Sequence, residues 1–132
     1  MPLATSELIA IAQARLDDAR ILIQAGRYDG ALYLCGYAVE LSLKARICRT
    51  LDWLGYPATK REFDGYQSFK THDLDILLRL SGRESYVKMN HLADWSAVAQ
   101  WSPEARYQPV GTISPADAQT MITAAAALLS TL

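Results

Sequence analysis

An all-α fold, specifically an antiparallel up-down bundle of about five helices, is predicted by three features of this 132-residue sequence. Residues 28–52 run without proline over about twice the length of an average helix. Residues 114–132 open with a Ser-Pro helix start and carry apolar residues at helical spacing. No segment shows a convincing strand pattern. A chain of this length is expected to form one domain, 1–132, around one core.

The first helix is predicted to begin at Thr5 or Ser6, either of which could cap it, and to stop at Gly26. Its buried side should consist of the apolar residues that recur at helical spacing: Leu8, Ala12, Leu16, Ala19 and Ile23. Because only Gly26–Arg27 separates it from the next helix, the two helices should run antiparallel.

The second helix, Tyr28 to about Asp52, is expected to be the most buried one. Small residues form a stripe along one face, with larger apolar residues on both sides of it: Ala31, Cys35, Ala38, Ser42 and Ala45. Glu40 and Lys44 interrupt this pattern at the spacing of an ion pair. Either Glu40 and Lys44 lie on the one solvent-exposed face of the helix, or they line a polar site.

The rest of the chain alternates irregular and helical segments. Residues 53–72 are predicted to form a long loop that is packed partly by its own aromatic rings. A short helix should begin at residues 71–73 and end at Gly82, and a fourth helix should cover about Glu84 to Ala99. Trp101 to Thr112 is predicted to be irregular, and Ser114 should cap the last helix.

Composition narrows the functional class. Apolar residues make up 51% of the chain, charged residues 20%, and the net charge is −1, so strong non-specific binding to nucleic acid is not expected. No signal peptide and no membrane-spanning run is found, and the protein is predicted to be cytoplasmic, with no membrane association. Cys35 and Cys48 lie roughly 20 Å apart on one helix, too far for a disulfide.

No motif indicates a cofactor, a metal site or a nucleophilic enzyme. Cys35, Cys48, His72 and His91 form no close pair with zinc-ligand spacing, and His91 is expected to be a satisfied core histidine. There is no G-x-S-x-G nucleophile elbow and no glycine loop that would cradle a phosphate. We therefore predict no catalytic residue from motifs alone.

Two segments could nevertheless bind an anion. Lys70 and His72 lie at a predicted helix start, where backbone N–H groups attract negative charge, although His72 could also simply cap and pack. Arg106 stands beside Tyr107 in a proline-rich segment and could grip a phosphate or a carboxylate. The alternative is that Trp101 plugs the end of the bundle while Arg106 pairs with Glu104 or another acid.

Two blocks of the sequence, GRYDGALYLCGYAVELSLKARI at 26–47 and KTHDLDILLRLSG at 70–82, resemble the HEPN domain family, named for nucleotide binding in higher eukaryotes and prokaryotes. The resemblance extends from Ala14 to the last helix. It implies a helical bundle that is commonly dimeric. Bacterial members often pair with a minimal nucleotidyltransferase in toxin–antitoxin-like modules, and some members are metal-independent RNases.

The RNase members carry an arginine and a histidine separated by about four to six residues on a late helix, and this chain lacks that pattern. Arg83 precedes His91 with seven residues between them, and no arginine stands within that reach of His72. Glu40 and Lys44 match an acid–lysine spacing on the second helix of several members. The resemblance therefore implies the fold more than the activity.

The prediction from the sequence is a non-catalytic HEPN module. It would form a homodimer, pair with a nucleotidyltransferase-type protein, and bind a nucleotide, RNA or protein partner in a polar cleft. The proposed ligand-binding residues are Glu40, Lys44, Arg46, Lys70, His72, Arg106 and Tyr107. Two alternatives remain open: a metal-independent RNase toxin with a rearranged Arg/His site, and a purely structural interaction subunit.

Overall fold

A computed structural model describes residues 2–132 of the chain. It contains six α-helices: α1 (Thr5–Gln24), α2 (Tyr28–Leu51), α3 (Leu74–Leu80), α4 (Glu84–Asn90), α5 (Leu92–Val98) and α6 (Pro115–Thr131). Two 3-10 turns lie at Gln67–Phe69 and Pro103–Tyr107, and two short strands are β1 (Leu3–Ala4) and β2 (Gly55–Tyr56). The predicted all-α class is confirmed, with six helices in place of five.

The antiparallel pair α1–α2 forms the centre of the molecule, and α6 packs against both helices. Gly26 closes α1 with a positive φ of 77°, which a residue without a side chain adopts freely. The predicted cap of α1 is wrong. Ala4 occupies the N-cap position and provides no side-chain hydrogen bond. The preceding residues are held instead by β1, where Leu3 lies opposite Tyr56 of β2.

Helix α2 is the most buried helix, as predicted from its apolar residues on several faces. Twelve of its 24 residues are buried, against four of 20 in α1 and six of 17 in α6. Ala38, in the middle of the small-residue stripe, is fully enclosed. The helix ends at Leu51, one residue earlier than expected, and Asp52 turns the chain with a φ of 57°.

The segment between α2 and α3 is packed by its own rings, as predicted. Trp53 contacts Tyr56, Tyr66 and Phe69, with ring centroids 4.9–6.2 Å apart. The Tyr56 hydroxyl donates to the Phe69 carbonyl at 2.6 Å. The expectation that the chain has no strand is wrong here, because Gly55–Tyr56 pairs with the N-terminal strand. Two residues are too few to show the alternation that marks a strand in a sequence.

The predicted fourth helix is broken in two at His91, where the backbone leaves helical geometry (φ −136°, ψ 36°). No glycine or proline marks this break in the sequence. His91 Nδ1 lies 3.2 Å from the Asp94 carboxylate, and Nε2 lies 3.2 Å from the Thr131 hydroxyl of α6. Both ring nitrogens therefore have partners, as expected for a satisfied histidine.

The structure of the C-terminal part of the chain agrees more closely with the prediction from the sequence. Ser114 caps α6 by accepting a hydrogen bond from the Asp117 amide at 3.0 Å, and Pro115 is the first helical residue. The segment predicted to be irregular between α5 and α6 contains the 3-10 turn Pro103–Tyr107. None of the described helices is both long and apolar enough to cross a membrane.

Candidate functional site

A cavity of about 690 Å³ lies between the middle of α2, the start of α3 and the segment that follows α5. Charged and aromatic side chains line it: Tyr33, Tyr37, Glu40, His72, Asp73, Trp101, Glu104 and Arg106. We call it the polar cavity. Three of the seven predicted ligand-binding residues, Glu40, His72 and Arg106, thus face one space although they come from three separate segments.

Glu40 is the buried anion of the polar cavity. Its side chain is only 1% exposed, and its Oε2 lies 3.0 Å from the Lys44 ammonium, one helical turn further along α2. The Lys44 side chain is itself 13% exposed, so this is no surface ion pair. Of the two alternatives left open by the sequence, the solvent-exposed helix face is wrong, because Glu40 is buried and lines the polar cavity. A buried carboxylate needs such a partner, because burying an unpaired charge is strongly unfavourable.

His72 completes the pairing of Glu40 from a different element. Its Nδ1 lies 3.0 and 3.1 Å from the two Glu40 carboxylate oxygens. Because an ionised carboxylate only accepts hydrogen bonds, Nδ1 is the protonated ring nitrogen and the lone pair of the neutral ring is on Nε2. The His72 side chain is 63% exposed, which leaves Nε2 open to a ligand.

The start of α3 holds His72 in this position. Asp73 is the N-cap, and its carboxylate accepts from the amides of Asp75 and Ile76. The Thr71 hydroxyl accepts from the Asp73 amide and fixes the residue on the other side of His72. Asp73 rather than His72 therefore caps the helix, and the His72 ring is free to turn towards Glu40.

Arg106 supplies the second positive group. Its guanidinium lies over the Tyr107 ring, 4.9 Å from the centroid. Interaction with the Tyr107 hydroxyl, and next with that of Tyr33, raises the pKa of Arg106. No ion pair joins Arg106 to Glu104 or to another carboxylate among residues 2–132, so the predicted alternative of an Arg106–acid pair is wrong. The positive charge of the Arg106 guanidinium is therefore available to a ligand.

Trp101 forms an aromatic wall of the polar cavity. It is 7% exposed, and its indole Nε1 has no hydrogen-bond partner in the described structure. The ring lies so close to the Gly36 backbone that any side chain at this position of α2 would collide with it. The Tyr33 ring is parallel to the Tyr37 ring at a centroid distance of 6.5 Å and is tilted by 42° against the Trp101 ring at 6.0 Å. A planar ligand would meet aromatic surface here.

The charges around the polar cavity are mixed. Three carboxylates, Glu40, Asp73 and Glu104, face it together with Arg106 and His72. Glu40 is neutralised by Lys44, and the Asp73 carboxylate is occupied by the α3 backbone. The arrangement offers one guanidinium for a phosphate, the Glu104 carboxylate to accept from a hydroxyl or amino group, and rings for stacking. Those are the contacts that a nucleoside phosphate needs.

The structure places the remaining predicted ligand-binding residues in different parts of the molecule. Lys44 and Tyr107 support the polar cavity through Glu40 and Arg106. Lys70 is exposed and does not line it. Arg46 lies in a separate cavity between α1, α2 and α6, so its predicted place beside Glu40 is wrong. Arg46 comes two positions after Lys44, and two positions correspond to a rotation of about 200° around the helix axis. Arg46 therefore faces away from the side of α2 that carries Glu40 and Lys44.

Sequence reasoning missed the two tyrosines of the polar cavity as site residues. Tyr33, Tyr37, Glu40 and Lys44 follow one another at spacings of four, three and four, which places them on one helix face. This spacing was available as a signal. Among residues 2–132, no group of three or more His, Cys, Asp or Glu side chains is placed to hold a metal ion.

Comparison with known proteins gives one match. A family model described as HEPN domain matches residues 5–53, which cover α1, the turn and α2. The match agrees with the resemblance found in the sequence. No curated protein and no solved structure matches the chain.

Proposed function

We propose that this chain, a HEPN-domain protein by its match over residues 5–53, binds a nucleoside phosphate unit of a nucleotide or an RNA in the polar cavity. The observation that carries the proposal is the convergence of Glu40, His72 and Arg106 with the aromatic wall around Trp101. Arg106 would contact the phosphate, the Trp101 region would pack against the base, and His72 Nε2 would contact a sugar hydroxyl or a phosphate.

The proposal uses groups that are otherwise unexplained. Arg106 has no carboxylate partner, and the Trp101 indole N–H has no acceptor. Guanidinium–phosphate contacts are charge-assisted and stronger than neutral hydrogen bonds.

Fluorescence titration tests this proposal, because Trp101 is a reporter within the cavity. Adenosine and guanosine monophosphates and a short single-stranded RNA should change the tryptophan emission in a saturable way. Arg106→Gln should weaken binding by about tenfold, since it removes one charge-assisted contact. Arg61→Gln is the matched control, because Arg61 is exposed and lies outside the polar cavity.

Equal affinity of Arg106→Gln and Arg61→Gln for every ligand would contradict the assignment of the phosphate contact. No saturable change with any nucleotide or RNA would contradict binding in the polar cavity. Thermal melting of both variants, which replace exposed side chains, checks that neither has unfolded.

A second candidate function, metal-independent RNA cleavage, is favoured by the Glu40–His72 contact. A carboxylate on Nδ1 makes Nε2 the base, as in catalytic triads. His72 Nε2 would take the proton of a ribose 2′-hydroxyl, whose oxygen would attack the adjacent phosphorus. The bond to the 5′-oxygen would break, giving a 2′,3′-cyclic phosphate and, after protonation, a 5′-hydroxyl. Arg106 would stabilise the charge on the phosphate oxygens.

The two candidates differ in one measurement. The binding proposal expects weak or no cleavage of RNA by the purified protein. Robust cleavage that survives a chelator and disappears in His72→Ala would instead establish the RNase. Cleavage that persists in His72→Ala would indicate a contaminating nuclease.

Assembly belongs to the same proposal. We propose a homodimer and a nucleotidyltransferase-type partner on the basis of the family resemblance. Within the single chain Leu41 is buried and Tyr37 packs partly against the core, so these two residues of α2 add little apolar surface for a dimer interface. Sedimentation equilibrium at micromolar concentration tests whether the chain forms a homodimer. A mass near the 14.6 kDa of one chain would exclude the dimer.

A further inference from the structure

Three arginines gather near the C-terminal part of α2, away from the polar cavity. Arg46 and Arg49 stand one turn apart on α2, and Arg83 precedes α4. Burial, and then the neighbouring charges of Arg49 and Arg83, lower the pKa of Arg46. Like charges brought together in this way repel one another, and the arrangement is unfavourable unless an anion joins them.

No Asp or Glu side chain pairs with any of the three in the part of the chain that the structure describes. Arg46 has no hydrogen-bond or ion-pair partner among residues 2–132, and its Nε is buried without an acceptor. The Nε of Arg83 is also buried without an acceptor, and its guanidinium lies 4.2 Å from the centre of the Tyr86 ring. Arg49 donates at 3.3 Å to the main-chain oxygen of Leu132. Other arginines of the chain, such as Arg15 and Arg79, have carboxylate partners.

A cavity of about 360 Å³ opens beside Arg46 and Arg49, between α1, α2 and the end of α6. We call it the arginine pocket. Ser42 lies one turn before Arg46 and contributes a hydroxyl to its wall. No Asp or Glu lines it. Ser42, Arg46 and Arg49 follow at spacings of four and three, so one face of α2 presents a hydroxyl and two guanidinium groups to the same space.

We propose that the arginine pocket is a second binding site, for a multiply charged phosphate group such as the terminal phosphates of a nucleotide. Planar guanidinium groups bind phosphate oxygens in pairs of hydrogen bonds, and the arginine pocket brings two guanidinium groups, those of Arg46 and Arg49, to one space. A ligand with two or more negative charges offsets the repulsion within the arginine cluster. Walls from three helices suit a small oxyanion better than the flat surface of a protein.

The site is independent of the polar cavity, because Arg46 and Glu40 line different spaces. Its charges differ too. The polar cavity combines acidic and basic side chains, whereas the charged side chains that line the arginine pocket, Arg46 and Arg49, are both basic. Phosphate binding in the arginine pocket therefore does not depend on a ligand in the polar cavity.

Pyrophosphate is the probe for this site, and isothermal titration calorimetry at low ionic strength is the measurement. The full chain should bind pyrophosphate more tightly than inorganic phosphate. Arg46→Gln should weaken pyrophosphate binding by about tenfold or more, since one charged contact is lost. Arg49→Gln should weaken it as well. Arg79→Gln removes the same charge from a helix outside the pocket and should leave affinity within about twofold.

Two outcomes overturn the proposal. One is the absence of pyrophosphate binding to the full chain at millimolar concentration, which would leave the arginine cluster as a surface for an acidic protein. The other is equal loss in Arg46→Gln and Arg79→Gln, which would mean that only net charge matters. The fluorescence titration with nucleoside monophosphates separates the two sites, because Arg46→Gln should keep the change in tryptophan emission that Arg106→Gln weakens.

Discussion

The polar cavity and the arginine pocket lie on the same helix, yet they handle charge in opposite ways. In the polar cavity the buried Glu40 carboxylate has a partner on each side, Lys44 at 3.0 Å and His72 at 3.0 Å. In the arginine pocket Arg46 is half-buried beside other cations and has no acceptor for its Nε. The first site is balanced by the chain itself, and the second is left for something outside the chain to balance.

This difference indicates what each site can do without a ligand. Paired charges hold their side chains in one geometry, so the polar cavity is preorganised and its residues contribute to stability. Unpaired like charges contribute repulsion, so the arginine pocket costs stability until an anion binds. A substitution at Glu40 should therefore damage the fold, and a substitution at Arg46 should damage binding only.

The largest effect is expected for Glu40→Ala. It leaves the Lys44 ammonium, only 13% exposed, without its carboxylate and removes the acceptor of His72. Breaking a buried ion pair from one side costs roughly 3–5 kcal/mol. Urea denaturation at pH 7 should show a loss of about 3 kcal/mol.

Arg46→Gln is the matched variant on the same helix for this comparison. We expect its free energy of unfolding to stay within about 0.5 kcal/mol of the parent, as for most substitutions away from structural partners. An equal loss in Glu40→Ala and Arg46→Gln would show that both charges are structural, and the contrast between the sites would disappear.

Ala38→Leu tests the packing that both sites share. Ala38 is fully buried in the small-residue stripe of α2, so a larger side chain has to displace its neighbours. Overpacking of this kind costs about 1–3 kcal/mol. Chemical denaturation measures it. An unchanged unfolding midpoint would mean that this part of α2 tolerates extra volume.

Alkaline pH should destabilise the protein by ionising a buried core residue, and neither of the two sites should contribute to this effect. Burial raises the pKa of Cys35 from 9.0 to about 12, despite an opposing effect of Arg20. Because the folded-state pKa lies above the unfolded one, this stability is complete below pH 9 and is lost between pH 9 and 12. The loss is roughly 1.4 kcal/mol for each pH unit above 9.

Urea denaturation at pH 7, 9 and 10 measures this slope, and Cys35→Ala is the control. The pKa of Cys48 is raised by burial too, so the variant should retain part of the slope. An identical slope in parent and variant between pH 9 and 10 would contradict the assignment to Cys35.

How far the sequence predicted these regions depends on the range of the interactions. The burial of α2, the antiparallel turn at Gly26 and the cap at Ser114 are local and could be predicted from spacing and residue type. Glu40 was visible as a polar residue in an apolar helix. Its contact with His72, 32 positions away, depends on how α3 packs, and no local pattern encodes it. The family resemblance did not supply it either.

Arg46 illustrates the opposite error. Proximity in sequence to Glu40 and Lys44 led to its placement in the same cleft, but the helical rotation between them carries it to another cavity. The break at His91 was missed for a related reason. It accompanies a side-chain contact with Thr131 of α6, 40 residues further along the chain.

A small stability effect is expected for His72→Ala, and it separates structural from functional charge within the polar cavity itself. The His72 side chain is 63% exposed, so solvent screens its contact with Glu40, and exposed pairs contribute under about 1 kcal/mol. Lys44 still pairs with Glu40 in this variant. We therefore expect unfolding in urea at pH 7 to change by less than about 1 kcal/mol, while nucleotide affinity in the fluorescence titration falls several-fold. His72→Gln, which can still donate a hydrogen bond to Glu40, should lie between the two. If His72→Ala destabilised the protein as much as Glu40→Ala, His72 would be a structural partner of Glu40, and its role in ligand binding would lose its support.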